Sequence, residues 1–146
     1  MVHDFVKFPE LTNSQMEFYY FDSPHQQITE DFDCKVIKVT DGDTVRVMTN
    51  FRDFDFPVRM LNINAPEMSE GGKESKNWLS EQILGKDITV EIEAKQRVGK
   101  FGRLLGKLIA DGMDMGEQSL NLGQAKVFGS SETFPSLEKE LGRAEF

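Results

Sequence analysis

The sequence predicts a mainly β fold with helices: a small closed barrel of five short strands, flanked by about three helices. Three observations carry this prediction. Short apolar runs recur with a period near two across residues 34–63 and again across 88–110. Asp41-Gly42 and Asp111-Gly112 fall between such runs, where tight hairpin turns belong. One amphipathic stretch interrupts the strands, placing Trp78, Leu79, Ile83 and Leu84 on a single helical face.

Residues 34–39 and 44–49 read as two strands joined through Asp41-Gly42. A polar loop over 50–55 leads into a third strand over 58–63, and Pro66 ends the pairing because it has no N–H to donate. A helix follows over 73–84, with Gly85 as its stop. Ile88, Val90 and Ile92 alternate as a fourth strand, and 104–110 form a fifth. A short helix over 116–122 stops at Gly123, residues 125–128 read as extended, and a last helix is expected over 135–141. Five short strands broken by a helix match a barrel of the oligonucleotide-binding (OB) type.

Composition divides the chain at residue 33. Residues 1–33 form an acidic, aromatic-rich arm with seven acids, one base and the cluster Phe18-Tyr19-Tyr20-Phe21. Met16, Phe18 and Tyr20 alternate as in a strand, while Thr12 and Gln15 have the spacing of a helix capping box. Both readings of the arm stay open. It can pack on the main domain through its aromatics, contact a protein partner, or lie across a cationic cleft of its own chain. Residues 34–146 form the barrel domain. The net charge of −8 argues against a broadly basic nucleic-acid surface. That charge is concentrated in the two ends, however: residues 34–130 carry 14 acids and 14 bases, so one cleft can still hold a focused positive potential.

No apolar run reaches the length of a membrane span, and the first residues lack the pattern of a secretion signal. Cys34 is the single cysteine, which rules out an internal disulfide and suits a buried strand position. These features lead us to expect a cytoplasmic protein without membrane association. The two histidines, His3 and His25, have no cysteine cluster near them, so a zinc site is not expected.

The chemistry is concentrated in Asp41-Gly42-Asp43-Thr44, Arg59, Asn64-Ala65-Pro66-Glu67 and Lys100-Phe101-Gly102-Arg103. Carboxylate and carbonyl oxygens suit a hard divalent cation, and guanidinium groups suit a phosphate. Both in one pocket is what phosphodiester hydrolysis requires.

In order and spacing, these pieces resemble the staphylococcal nuclease (thermonuclease-like) family. The resemblance runs from about Cys34 to Gly129 and includes Gln96-Arg97, Ala110-Asp111-Gly112 and Gly123-Gln124-Ala125-Lys126-Val127. It implies an OB barrel with three helices and a calcium-dependent endonuclease, with magnesium as the alternative ion. The substrate would be DNA, with RNA as a further candidate, cut to leave 3′-phosphate ends. By position, Asp43, Asn64 and Ala65 would hold the metal, with Asp41 as an outer carboxylate. Arg59 and Arg103 would grip the scissile phosphate, Glu67 would act on the attacking water, and Lys100 and Phe101 would contact substrate.

Three positions depart from the family pattern. Asn64 stands where the family has an aspartate, which removes one negative charge from the metal site. Phe101 lacks the hydroxyl of a phosphate-contacting tyrosine, and Gly129 replaces an aromatic that would face a base. The alternative function is therefore a weakened or inactive module of this family that binds nucleic acid or a protein. Calcium-dependent cleavage separates the two.

Overall fold

The computed structural model describes residues 10–13, 27–66, 71–99 and 103–127. Strands β1 (Phe32–Asp41), β2 (Thr44–Met48) and β3 (Phe56–Met60) form an antiparallel meander. After β4 (Ile63–Asn64) and helix α1 (Gly72–Ile83), β5 (Asp87–Glu91) pairs with the first half of β1, and β6 (Leu104–Ala110) pairs with β5. Parallel pairing of β3 with β6 then closes the ring of β1, β2, β3, β5 and β6 into the expected five-stranded barrel. Strand β7 (Met113–Asp114) extends β6 as a hairpin, and helix α2 (Met115–Asn121) leads to β8 (Lys126–Val127), which pairs with β4 outside the barrel.

The closure is written into strand alternation. Phe56, Val58 and Met60 point inward from β3, and Leu104, Leu108 and Ala110 from β6. On β1, Phe32, Cys34 and Val36 are buried, but the alternation then skips, leaving Ile37 and Lys38 both exposed before Val39 turns in. A register shift against β2 lies at that skip, and a second lies between Val39 and Asp41. Such bulges tighten the twist of a long strand, which lets β1 serve β2 with one half and β5 with the other. Leu79 and Ile83 of α1 and Met115 of α2 complete the core.

Several boundaries differ from the sequence reading. The third strand ends at Met60 rather than Ile63, because Asn62 adopts a left-handed φ of 60° and reverses the chain. Asparagine tolerates that conformation. Leu84 is exposed, unlike its helical neighbours on the expected face, since it leaves the helix with an extended ψ of 126°. Gly85 follows at φ 78°, as expected of a helix stop. Two complete helices lie among the described residues, and Asn13 is helical as well; the helix expected over 135–141 falls outside them, as do the aromatic cluster at 18–21 and Gly129.

The loop over 50–55 is not simply polar. Arg52 is buried against the rings of Phe56 and Phe54, at 4.4 and 5.2 Å, and donates to Glu10 at 2.6 Å. Both side chains of that ion pair are 2% exposed. Leu11 and Ile28 are buried too, and β1 begins at Phe32, so the chain on either side of residue 33 runs into one strand. Cys34 is buried on β1, and burial, helped by Asp33 and Asp87, pushes its thiol up to about 12. It stays protonated and inert at neutral pH.

Candidate active site

The hairpin between β1 and β2 builds one wall of the site. Asp41 and Thr44 are paired across it, and the Asp41 carboxylate accepts the Asp43 N–H at 3.1 Å, which stiffens the turn. Glycine at position 42 is a packing requirement. A Cβ there would lie 2.0 Å from Ser75 Oγ and 2.9 Å from Ala65 Cβ, so the turn touches both the first turn of α1 and the segment after β4. Ser75 is fully buried and donates to the Gln124 carbonyl at 2.8 Å, which ties in the chain after α2.

This packing aims Asp43 at the second wall. One carboxylate oxygen accepts from Thr44 Oγ1 at 2.9 Å. The other accepts from the Ala65 N–H at 3.0 Å and from Arg59 Nη2 at 3.4 Å. Arg59 sits on β3 directly opposite Thr44, and its Nη2 also donates to Asn64 Oδ1 at 3.2 Å. Its Nη1 donates to the Met60 carbonyl at 3.1 Å. The left-handed turn at Asn62 is what swings Asn64 and Ala65 back beside the Arg59 guanidinium. Pairing of β4 with β8 holds Asn64 there, with Lys126 in register across from it.

The two carboxylates of the turn shift in opposite directions. Burial, a side-chain hydrogen bond to Asp43 and repulsion from it push Asp41 up to about 6. Burial alone would raise Asp43 as well. The hydrogen bond from Asp41, the Ala65 amide, Arg59 and Thr44 outweigh it and hold Asp43 below the usual carboxylate range. Asp43 is thus an ionised, nearly buried carboxylate beside a guanidinium, with the Asp41 carboxyl hydrogen-bonded next to it.

Five of the residues singled out in the sequence therefore come together: Asp41, Asp43, Arg59, Asn64 and Ala65. Arg103 is half-buried at the entry to β6, the strand that pairs with Arg59's own, where Leu105 is the register partner of Arg59. Glu67, Lys100 and Phe101 lie outside the described residues. Sequence reading missed Ser75 and Gln124 as supports of the turn, because they are 33 and 82 positions from Gly42 and only folding brings them near. Among the described residues, no three His, Cys, Asp or Glu side chains gather into a metal cluster. Nor is any helix among them long and apolar enough to cross a membrane.

The chain is similar to known proteins. A family model described as staphylococcal nuclease homologue matches residues 57–146. An uncharacterized endonuclease of Escherichia coli O157:H7 is 33% identical over 105 residues, which is 70% of this chain and 65% of that protein. An uncharacterized endonuclease of Haemophilus influenzae is 35% identical over 65 residues, covering 44% of this chain and 36% of that protein. A probable staphylococcal-like nuclease of Oryza sativa subsp. japonica is 32% identical over 85 residues, covering 58% and 25%. The matched stretch thus spans about two thirds or less of each of these relatives. With its barrel closed as the sequence predicts and well over half its length matched by the family model, the chain belongs to the staphylococcal nuclease homologue family.

Proposed function

We propose that this chain hydrolyses phosphodiester bonds of nucleic acid, with DNA as the first substrate and RNA as the second, in a reaction that depends on calcium or magnesium. The observation that carries the reading is the contact of Arg59 with both Asp43, at 3.4 Å, and Asn64, at 3.2 Å. It puts a phosphate-binding group next to hard oxygen donors in a half-sheltered place.

The donor set fits a divalent ion. Asp41 and Asp43 stand together on one turn and repel each other, and a cation bound beside them relieves that repulsion. Asp43, the Asn64 amide oxygen and the Ala65 carbonyl would hold the ion, with Asp41 behind them. When bound, the ion polarises a phosphoryl oxygen and makes a nearby water more acidic. Arg59 and Arg103 present planar donor forks to the remaining phosphoryl oxygens, and those bonds strengthen as charge grows in the transition state. Glu67 follows the rigid Pro66 and serves as the base: the water oxygen bonds to phosphorus, its proton passes to Glu67, and the bond to the 5′ oxygen breaks, that oxygen taking up a proton from solvent. The products carry 3′-phosphate ends.

A second reading is supported by Asn64. Its oxygen is already engaged by Arg59, and it brings no charge of its own. On that reading the module binds nucleic acid or protein and cuts slowly or not at all. Incubation of the chain with single-stranded DNA in calcium, magnesium or chelator, with end analysis of the products, decides between them. Metal-dependent cleavage to 3′-phosphate ends is the expected result. Retention of DNA without cleavage at millimolar metal refutes the enzymatic reading.

A further inference from the structure

Arg97 takes no part in the hydrogen bonds around Asp43 described above, yet it is one of the most heavily engaged side chains among the described residues. It is 3% exposed. Its Nη1 donates to the Leu11 carbonyl at 2.9 Å and to Asn13 Oδ1 at 3.1 Å. Its Nε donates to the Ile28 carbonyl at 2.7 Å, and its Nη2 donates to the same oxygen. Asn13 in turn donates from Nδ2 to the Ala94 carbonyl at 2.8 Å, three residues before Arg97. Burial lowers the affinity of this guanidinium for its proton, and Glu10 counters that effect in part. A buried cation with this many oriented acceptors is expensive to rearrange, so the backbone that carries it is held firmly.

That backbone leads straight to Arg103. The Arg97 carbonyl accepts the Leu105 N–H at 2.8 Å, and the Arg103 carbonyl accepts the Gly99 N–H at 2.7 Å. Val98 and Leu104 form an isolated antiparallel bridge between these two bonds. The Arg103 backbone is therefore clipped to the 97–99 segment, and that segment is anchored through one side chain to the residues that precede the barrel. The family match begins only at residue 57, so Leu11, Asn13 and Ile28 lie outside it.

We propose that Arg97 is a positioning residue for Arg103, and that the N-terminal segments at 10–13 and at Ile28 are the anchor through which it works. The acidic arm then supports the phosphate-binding side of the site. The proposal rests on the phosphate-gripping role given to Arg103 above. A loop left to fluctuate by an ångström would blunt a donor whose value lies in being preorganised.

Asn13→Ala in the full chain is the most telling variant, because Asn13 is exposed and its loss removes both the Arg97 and the Ala94 tie without opening the core. Arg97→Lys, which keeps the charge but not the fork, is the companion variant. Amide exchange of Gly99 and Leu105 should rise about tenfold in Asn13→Ala, with Val90 on β5 unaffected. Unchanged exchange at those two amides overturns the anchor. Turnover of single-stranded DNA should fall about fivefold in Asn13→Ala, chiefly in kcat, as expected for one lost bond to a charged group. In an Arg103→Ala background, the same substitution should cost nothing further. An equal loss in both backgrounds assigns Asn13 and Arg97 a purely structural role and overturns the coupling. Full turnover by Arg103→Ala alone refutes the role of Arg103, and with it this proposal. An inactive wild-type chain refutes the functional reading instead and leaves the exchange measurement to decide the anchor.

Discussion

Replacing Gly42 by alanine should damage fold and site together, and the contacts around it set the size of the effect. The added Cβ would stand 2.0 Å from Ser75 Oγ, 2.8 Å from Ser75 Cβ and 2.9 Å from Ala65 Cβ. Nonpolar heavy atoms rest at about 3.5 Å, so the three approaches are short by roughly 1.5, 0.7 and 0.6 Å. Rotating Ser75 removes the first clash, but it breaks the bond to the Gln124 carbonyl and leaves the second untouched. The first turn of α1 or the Ala65 segment must therefore retreat. A buried hydrogen bond left unmade costs about 1 kcal/mol or more, and overpacking costs about 1–3 kcal/mol, so a loss of roughly 2–4 kcal/mol is expected. Urea unfolding with linear extrapolation measures it. Retreat of Ala65 also draws its N–H away from Asp43, so calcium affinity should fall in the same variant. Ser75→Gly supplies the control. Although glycine in a helix costs about 1 kcal/mol, Gly42→Ala should cost clearly less in the Ser75→Gly background than in the wild type. A Gly42→Ala protein within roughly 0.5 kcal/mol of wild type, or a cost independent of residue 75, refutes the close approach.

Asn64→Asp adds a carboxylate where Asn64 Oδ1 meets Arg59, and calcium affinity should rise about tenfold by titration calorimetry; an unchanged isotherm means residue 64 does not face the ion. Arg59→Ala or Arg103→Ala should lower turnover by on the order of 10²-fold, and a variant that unfolds yet keeps its specific activity shows the arginine to be structural. Glu10→Ala strands the buried Arg52 charge and should cost about 3 kcal/mol in urea unfolding; a loss of a few tenths means the pair adds little. Asp55 receives a hydrogen bond from Arg46 at 2.6 Å, which holds its carboxyl below the usual range. Its contribution is present above the unfolded pKa and fades as pH falls through the folded one, so acid unfolding of Asp55→Asn should be less steep below about pH 4 than that of the wild type. Parallel acid profiles for the two proteins would show that this half-buried pair carries no stability.

Local pattern determined much of this protein. The period-two runs specify strands, Asp-Gly dipeptides specify where they turn, and Leu79 and Ile83 specify the buried face of α1, because each signal is held within a few consecutive residues. The same is true of Asp41, Asp43, Arg59, Asn64 and Ala65 as chemical candidates, since their residue types and order lie within 25 positions. A closed barrel was expected from the number and order of the strands, but which two edges meet to close it was not legible. Closure depends on the parallel pairing of β3 with β6, between Val58 and Leu104, and no local pattern encodes the partner of a strand edge. Nor does composition reveal that Arg52 and Arg97 are buried, since an isolated arginine in a polar stretch reads as a solvated side chain. Only the tertiary structure supplies Glu10, 42 positions away, and the Leu11 carbonyl, 86 positions away, to meet them. It likewise decides that Gly42 is present for lack of room beside Ser75 and Ala65, and that the Asn64 oxygen is spent on Arg59. These are contacts between distant segments, and their energy exists only once the barrel has brought those segments together.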